Sequence, residues 1–121
     1  MSGSLISIID DDQSMLEALG GLLRLCGYDV RTYASGEEFI KSGLCHSPKC
    51  IVTDIHMPGL SGIDLKRWLD EQRCSTPVIM ITARSDTHLH EQALASGAIC
   101  LLRKPFGAEA LMDCLRRAHV A

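Results

Sequence analysis

The groups in this chain that could do chemistry together are the acidic run Asp10-Asp11-Asp12, Asp54, Thr82 and Lys104. Clustered carboxylates raise one another's pKa unless a cation neutralises them, and a hard divalent ion with oxygen ligands does this well. Magnesium suits an open site, because it keeps several waters and takes one or two carboxylates plus a phosphate oxygen. Lys104 supplies positive charge for an anionic group, and Thr82 a hydroxyl that donates to it. A carboxylate nucleophile, a metal ion and a lysine describe phosphoryl transfer to aspartate. The competing reading is a set of strand-end polar residues with no joint role.

These residues share a context. Leu5-Ile6-Ser7-Ile8-Ile9 leads into Asp10, Cys50-Ile51-Val52-Thr53 into Asp54, Val78-Ile79-Met80-Ile81 into Thr82, and Ile99-Cys100-Leu101-Leu102 into Arg103-Lys104. Short apolar runs of this kind read as strands covered on both faces. A fifth strand, Asp29 to Ala34, alternates through Val30, Thr32 and Tyr33. Helical periods lie between the strands. Met15, Leu19, Leu22, Leu23 and Cys26 recur at three and four, with Gly27 as a C-terminal cap. Ser35-Gly36-Glu37-Glu38 opens a second helix, and acidic residues in its first turn suit the helix dipole. Pro58, Gly59 and Gly62 turn the chain into a third helix with Ile63, Leu65, Trp68 and Leu69, where Trp68 reads as packing. Leu89, Ala93 and Leu94 mark a fourth, stopped by Gly97, and Leu111, Leu115 and Ala118 a last one. Such alternation predicts a parallel α/β sheet with helices on both faces and right-handed crossovers, its chemistry at the carboxyl ends of the strands.

The bulk properties agree. At 121 residues the chain is one domain, 1–121, large enough to bury a core without staples. Hydrophobic residues make up 46% and charged residues 22%, which excludes a disordered chain, and the net charge of -3 argues against general nucleic-acid binding by this segment. No signal peptide or membrane-spanning run is evident, so a cytoplasmic location is expected. The cysteines at 26, 45, 50, 74, 100 and 114 form no Cys-x-x-Cys pair and read as buried free thiols, and Cys45-His46 with Cys50 lacks the second ligand pair that zinc needs. His88 and His90, two apart on a helix, point away from each other and read as solvated. There is no Gly-x-Gly-x-x-Gly after the first strand and no Walker loop.

Ile9-Asp10-Asp11-Asp12, Thr53-Asp54-Ile55-His56-Met57-Pro58-Gly59-Leu60-Ser61-Gly62, Ile81-Thr82-Ala83 and Lys104-Pro105-Phe106 occur in an order and spacing that resemble the receiver domain of two-component response regulators. The resemblance runs from about Leu5 to Ala118 and is strongest to receivers of the nitrogen-fixation regulator type, which normally precede a helix-turn-helix domain. It implies a flavodoxin-like (βα)5 fold with a five-stranded parallel sheet in the order 2-1-3-4-5. It also implies that Asp54 accepts a phosphoryl group from the phosphohistidine of a sensor histidine kinase. Mg²⁺ would be held by Asp11, Asp54 and the backbone carbonyl of His56, with Asp10 acting through metal-bound water. Lys104 would pair with the phosphoryl oxygens and Thr82 would swing in to hydrogen-bond them. A cis peptide is expected at Lys104-Pro105.

One position departs from the family pattern. The usual aromatic switch, three residues before the lysine, is Leu101, so a smaller or different packing change is expected there. His56 and Arg84, two residues beyond Asp54 and Thr82, are expected to tune hydrolysis. The implied role is a phosphorylation-controlled switch that catalyses only its own phosphorylation and dephosphorylation. Homodimerisation on phosphorylation is expected through the fourth helix and fifth strand, DNA contact only through an output domain outside this chain, and no membrane contact. Because the chain ends just after the last helix, the alternatives are a receiver excised from a transcription regulator, which the resemblance favours, and a stand-alone receiver acting by protein binding. A small magnesium phosphohydrolase and a phosphate-independent interaction module are the readings from other classes. The first lacks an evident acid/base residue and substrate cap. The second leaves Asp54, Thr82 and Lys104 unexplained.

Overall fold

Each of the apolar runs forms a strand in the computed structural model, which describes residues 4–120. The order is β1 (Leu5–Ile9), α1 (Gln13–Leu25), β2 (Asp29–Tyr33), α2 (Gly36–Lys41), β3 (Cys50–Asp54), α3 (Gly62–Glu71), β4 (Val78–Thr82), α4 (Thr87–Ala95), β5 (Cys100–Arg103) and α5 (Ala108–Arg117). All pairings are parallel and the sheet runs β2-β1-β3-β4-β5. The strand order therefore reverses between β1 and β3, and such a reversal opens a crevice at the strands' carboxyl ends.

Period-two alternation sends successive strand residues to opposite faces. Ile6, Ile8, Cys50, Val52, Ile79, Ile81, Cys100 and Leu102 face α1 and α5, where Leu16, Leu19, Leu23, Leu111 and Leu115 complete one core. Ile9, Ile51, Val78 and Met80 face the other way, onto Phe39 of α2, Leu65 and Leu69 of α3 and Ala93 of α4. β3 and β4 are buried along their whole length, whereas β2 at one edge is largely exposed. Trp68 is half-buried against the second core.

The structure corrects several readings of the sequence. The inward face of α1 is Leu16, Leu19, Gly20 and Leu23, and Cys26 is exposed beyond its end. Leu94 is 54% exposed, because α4 buries only Ala93 among its residues. The reading of six buried free thiols holds for Cys45, Cys50 and Cys74, whereas Cys100 and Cys114 form a disulfide between β5 and α5, with Cα atoms 5.8 Å apart. No helix among the described residues is long and apolar enough to cross a membrane.

Candidate functional site

Four β/α junctions meet at the carboxyl end of the sheet. Asp10 follows β1 directly and is buried; its Oδ1 accepts the backbone N–H of Asp12 at 2.9 Å. Asp11 is exposed beside it. Asp12 stands apart: it is the N-cap of α1, its carboxylate accepting from the N–H of Ser14 at 2.9 Å. Only Asp10, Asp11 and Asp54 converge, with carboxylate oxygens within 4.8 Å of one another, and among the described residues they are the one group of acids, histidines and cysteines so placed. No zinc-like set forms around Cys45, His46 and Cys50.

Asp54 is the last residue of β3 and is 7% exposed. The backbone behind it is held from two sides, since Ile55 N–H donates to the Ile81 carbonyl at 2.9 Å and Gly62 N–H to the Ile55 carbonyl at 3.0 Å. Gly62 must be glycine on space alone, because a Cβ there would lie 2.5 Å from the Asp54 carbonyl oxygen. Ser61 caps α3 in a reciprocal pair with Asp64, which fixes where that helix begins.

Lys104 enters from β5. Its N–H donates to the Thr82 carbonyl at 2.8 Å, and its peptide bond to Pro105 is cis. The ammonium lies 3.3 Å from Asp10 Oδ2 and 3.8 Å from Asp54 Oδ2. One cation thus pairs with two of the three carboxylates. The electrostatic result is direct: burial, then the neighbouring Asp10 charge, pushes the Asp54 carboxyl up to about 6 against the opposing pull of Lys104. Burial likewise raises Asp10, while the Asp12 N–H and Lys104 pull it down. Such a cluster suits a hard divalent cation, which would relieve the excess negative charge.

Thr82, the last residue of β4, is fully buried, and its Oγ accepts the backbone N–H of Arg84 at 3.0 Å. Arg84 is itself exposed. His56 is half-buried with its Nε2 unpaired; burial and then the Arg84 charge hold its pKa below the ordinary value, against the attraction of Asp86. Leu101 lies on β5 away from the carboxylates, half-buried against the α2–α3–α4 core.

Sequence reasoning missed one contact beside the site. His90 of α4 reaches back so that its Nε2 lies 3.0 Å from the Arg84 carbonyl, and a contact to a carbonyl oxygen requires that nitrogen to carry the proton. No spacing rule signals it, because it depends on how the loop after β4 folds.

Comparison with known proteins came to the same fold. The family model described as "Response regulator receiver domain" matches residues 6–116. The C4-dicarboxylate transport transcriptional regulatory protein DctD of Pseudomonas aeruginosa is 40% identical over 113 residues, covering 93% of this chain and 24% of that protein. The transcriptional regulatory protein FixJ of Azorhizobium caulinodans is 35% identical over 111 residues, covering 92% of this chain and 53% of that protein. This chain therefore spans about half the length of such relatives or less. The crystallised chemotaxis protein CheY4 of Vibrio cholerae superposes with a TM-score of 0.87 at 27% identity, covering 97% of this chain and 99% of that one.

Proposed function

The chain belongs to the response regulator receiver domain family, and from that membership we propose that it is a phosphorylation-controlled signalling switch whose acceptor is Asp54. The observation that carries this reading is the convergence of Asp10, Asp11 and Asp54, with the Lys104 ammonium set against the first and last of them. An Asp54 oxygen attacks the phosphorus of a kinase phosphohistidine, the P–N bond breaks, and the imidazole leaves. Asp11, Asp54 and the His56 carbonyl would hold Mg²⁺, with Asp10 acting through water. When bound, the ion offsets charge on the transferring group. Lys104 pairs with the phosphoryl oxygens. Thr82 donates its hydroxyl hydrogen to one of them while its lone pairs keep the Arg84 N–H. His56 and Arg84 flank the group and set its lifetime.

The displaced Thr82 loop alters the face formed by α4, β5 and α5, with Leu101 in place of the aromatic switch. We assign the output to transcription control through a DNA-binding domain outside this chain, by analogy with the transcriptional regulatory proteins DctD and FixJ. Phosphorylation-driven pairing of two copies through α4 and β5 belongs to this reading.

The test is intact mass after incubation with acetyl phosphate, with and without Mg²⁺, beside Asp54→Asn. One phosphoryl group that needs both Mg²⁺ and Asp54 is expected. No addition to the parent under any condition would overturn the assignment.

A further inference from the structure

We propose that Cys100 and Cys114 form a reversible thiol–disulfide exchange site for a glutathione-type low-molecular-weight thiol, which sets whether α5 is covalently tied to β5. The disulfide closes a loop of sequence separation 14 across the face that β5 and α5 share, and Cys100 directly precedes Leu101. Disulfides in a reducing compartment are characteristically transient and regulatory.

Three features make this pair exchangeable. β5 is an edge strand of the sheet, and Cys100 is the more accessible residue of the pair, at 7% against 2% for Cys114. The guanidinium of Arg117 lies 3.7 Å from Cys100 Sγ, where it stabilises a thiolate on that sulfur. Finally, α5 is the one helix of the five whose N-cap, Gly107, provides no side-chain hydrogen bond to fasten its first turn.

The exchange balances without further reagents. A glutathione thiolate attacks Cys100 Sγ, the Cys100–Cys114 bond breaks, and Cys114 leaves as a thiolate and takes up a proton. A second glutathione thiolate then attacks the glutathione sulfur of the mixed disulfide and releases Cys100 as its thiolate, which the Arg117 guanidinium steadies until it is protonated. Two electrons and two protons pass to the protein, and glutathione disulfide is formed. In the oxidising direction Cys100 attacks glutathione disulfide and Cys114 resolves the adduct.

The experiment equilibrates the full chain in glutathione buffers of graded reduced-to-oxidised ratio, quenches with acid, and counts thiols by alkylation and peptide mapping. We expect a single transition between four and six free thiols that maps to Cys100 and Cys114. Cys114→Ser should accumulate a glutathione adduct on Cys100, Cys100→Ser should accumulate none on Cys114, and Arg117→Leu should slow adduct formation several-fold. Amide exchange across 108–117 should quicken on reduction while β1 and β3 stay protected. Six free thiols at every ratio, four at every ratio in folded protein, or a transition mapping to other cysteines would each overturn the proposal. None of these readouts involves phosphorylation, so the proposal stands or falls apart from the role of Asp54.

Discussion

The hydroxyl of Thr82 holds the backbone N–H of Arg84 at 3.0 Å, so any displacement of that side chain pulls on the loop that leads into α4. The Arg84 carbonyl meets His90 Nε2 at 3.0 Å, and this continues the connection onto the helix itself. We expect His90→Ala to weaken the coupling between the rim and α4 by about 0.5–1 kcal/mol. The measurement is amide chemical shift with and without beryllofluoride and Mg²⁺. Changes near Asp54 should persist in the variant while those in 87–95 shrink; equal α4 changes in parent and variant would rule out the relay.

Acid should stabilise the metal-free protein relative to neutral pH. Asp54 has a folded-state pKa of about 6 against an ordinary value of 3.8, so in this window the folded state holds protons that the unfolded state has lost. Stability therefore falls as pH rises from about 4 to 6, and above that the full penalty, about 2–3 kcal/mol, remains. Asp10, also raised, adds in the same direction. Urea unfolding should show Asp54→Asn more stable than the parent at pH 7.5 and equal to it near pH 4. Mg²⁺ should stabilise the parent at the higher pH only. A parent whose stability rises between pH 4 and 6 would contradict the raised carboxyls.

Removing the cation should deepen that penalty. Lys104→Ala leaves the buried Asp10 and Asp54 charges without their shared partner, and a loss of about 2 kcal/mol is expected at pH 7.5 without Mg²⁺. The loss should shrink on acidification as the carboxyls take up protons. Phosphoryl uptake from acetyl phosphate should also fall, since nothing replaces the ammonium beside the phosphoryl oxygens. A pH-independent loss would point to packing of the lysine stem instead.

Gly62→Ala tests how tightly the acceptor is held. The new methyl would sit 2.5 Å from the Asp54 carbonyl oxygen and 3.1 Å from Ile55 Cα, both backbone atoms that cannot turn aside. We expect destabilisation of about 2 kcal/mol or more by urea titration, and slower phosphorylation in the fraction that folds. Stability within 0.5 kcal/mol of the parent, on the order of an ordinary surface change, would show that the backbone yields.

His56→Ala and Arg84→Ala should each change the lifetime of the phosphorylated form without abolishing its formation. Arg84 is exposed and His56 half-buried, so neither change opens a core cavity. The decay of the phosphorylated mass after removal of acetyl phosphate is the readout. Unchanged decay in both variants would remove them from the reaction.

Asp54, Thr82 and Lys104 were legible because each interrupts an apolar run with a polar group at the same end of a strand. The acidic run was less so. Asp10, Asp11 and Asp12 look equivalent in sequence, and only the backbone's turn out of β1 buries the first, exposes the second and assigns the third to capping. The cap could have been found, since an aspartate directly before an amphipathic period is an N-cap signature. Leu94 misled because α4 is barely amphipathic, and an apolar residue on such a helix carries little information about its face. The Cys100–Cys114 bond was not legible at all. Periodicity says which residues of α5 face inward but not where the helix sits along β5, and that placement decides which sulfurs meet.

The contact between Lys104 and Asp10 joins residues 94 apart in sequence, and Asp54 and Thr82 reach the same rim from the strands between. The rim carboxylates meet their cation only once β5 is in place. A ribosome that has made β1 through β4 has produced all three rim carboxylates without the ammonium that faces two of them. The rim's charge balance therefore belongs to the finished molecule: on the proposed reading, a nascent chain takes up phosphoryl groups poorly until its fifth strand has emerged and docked.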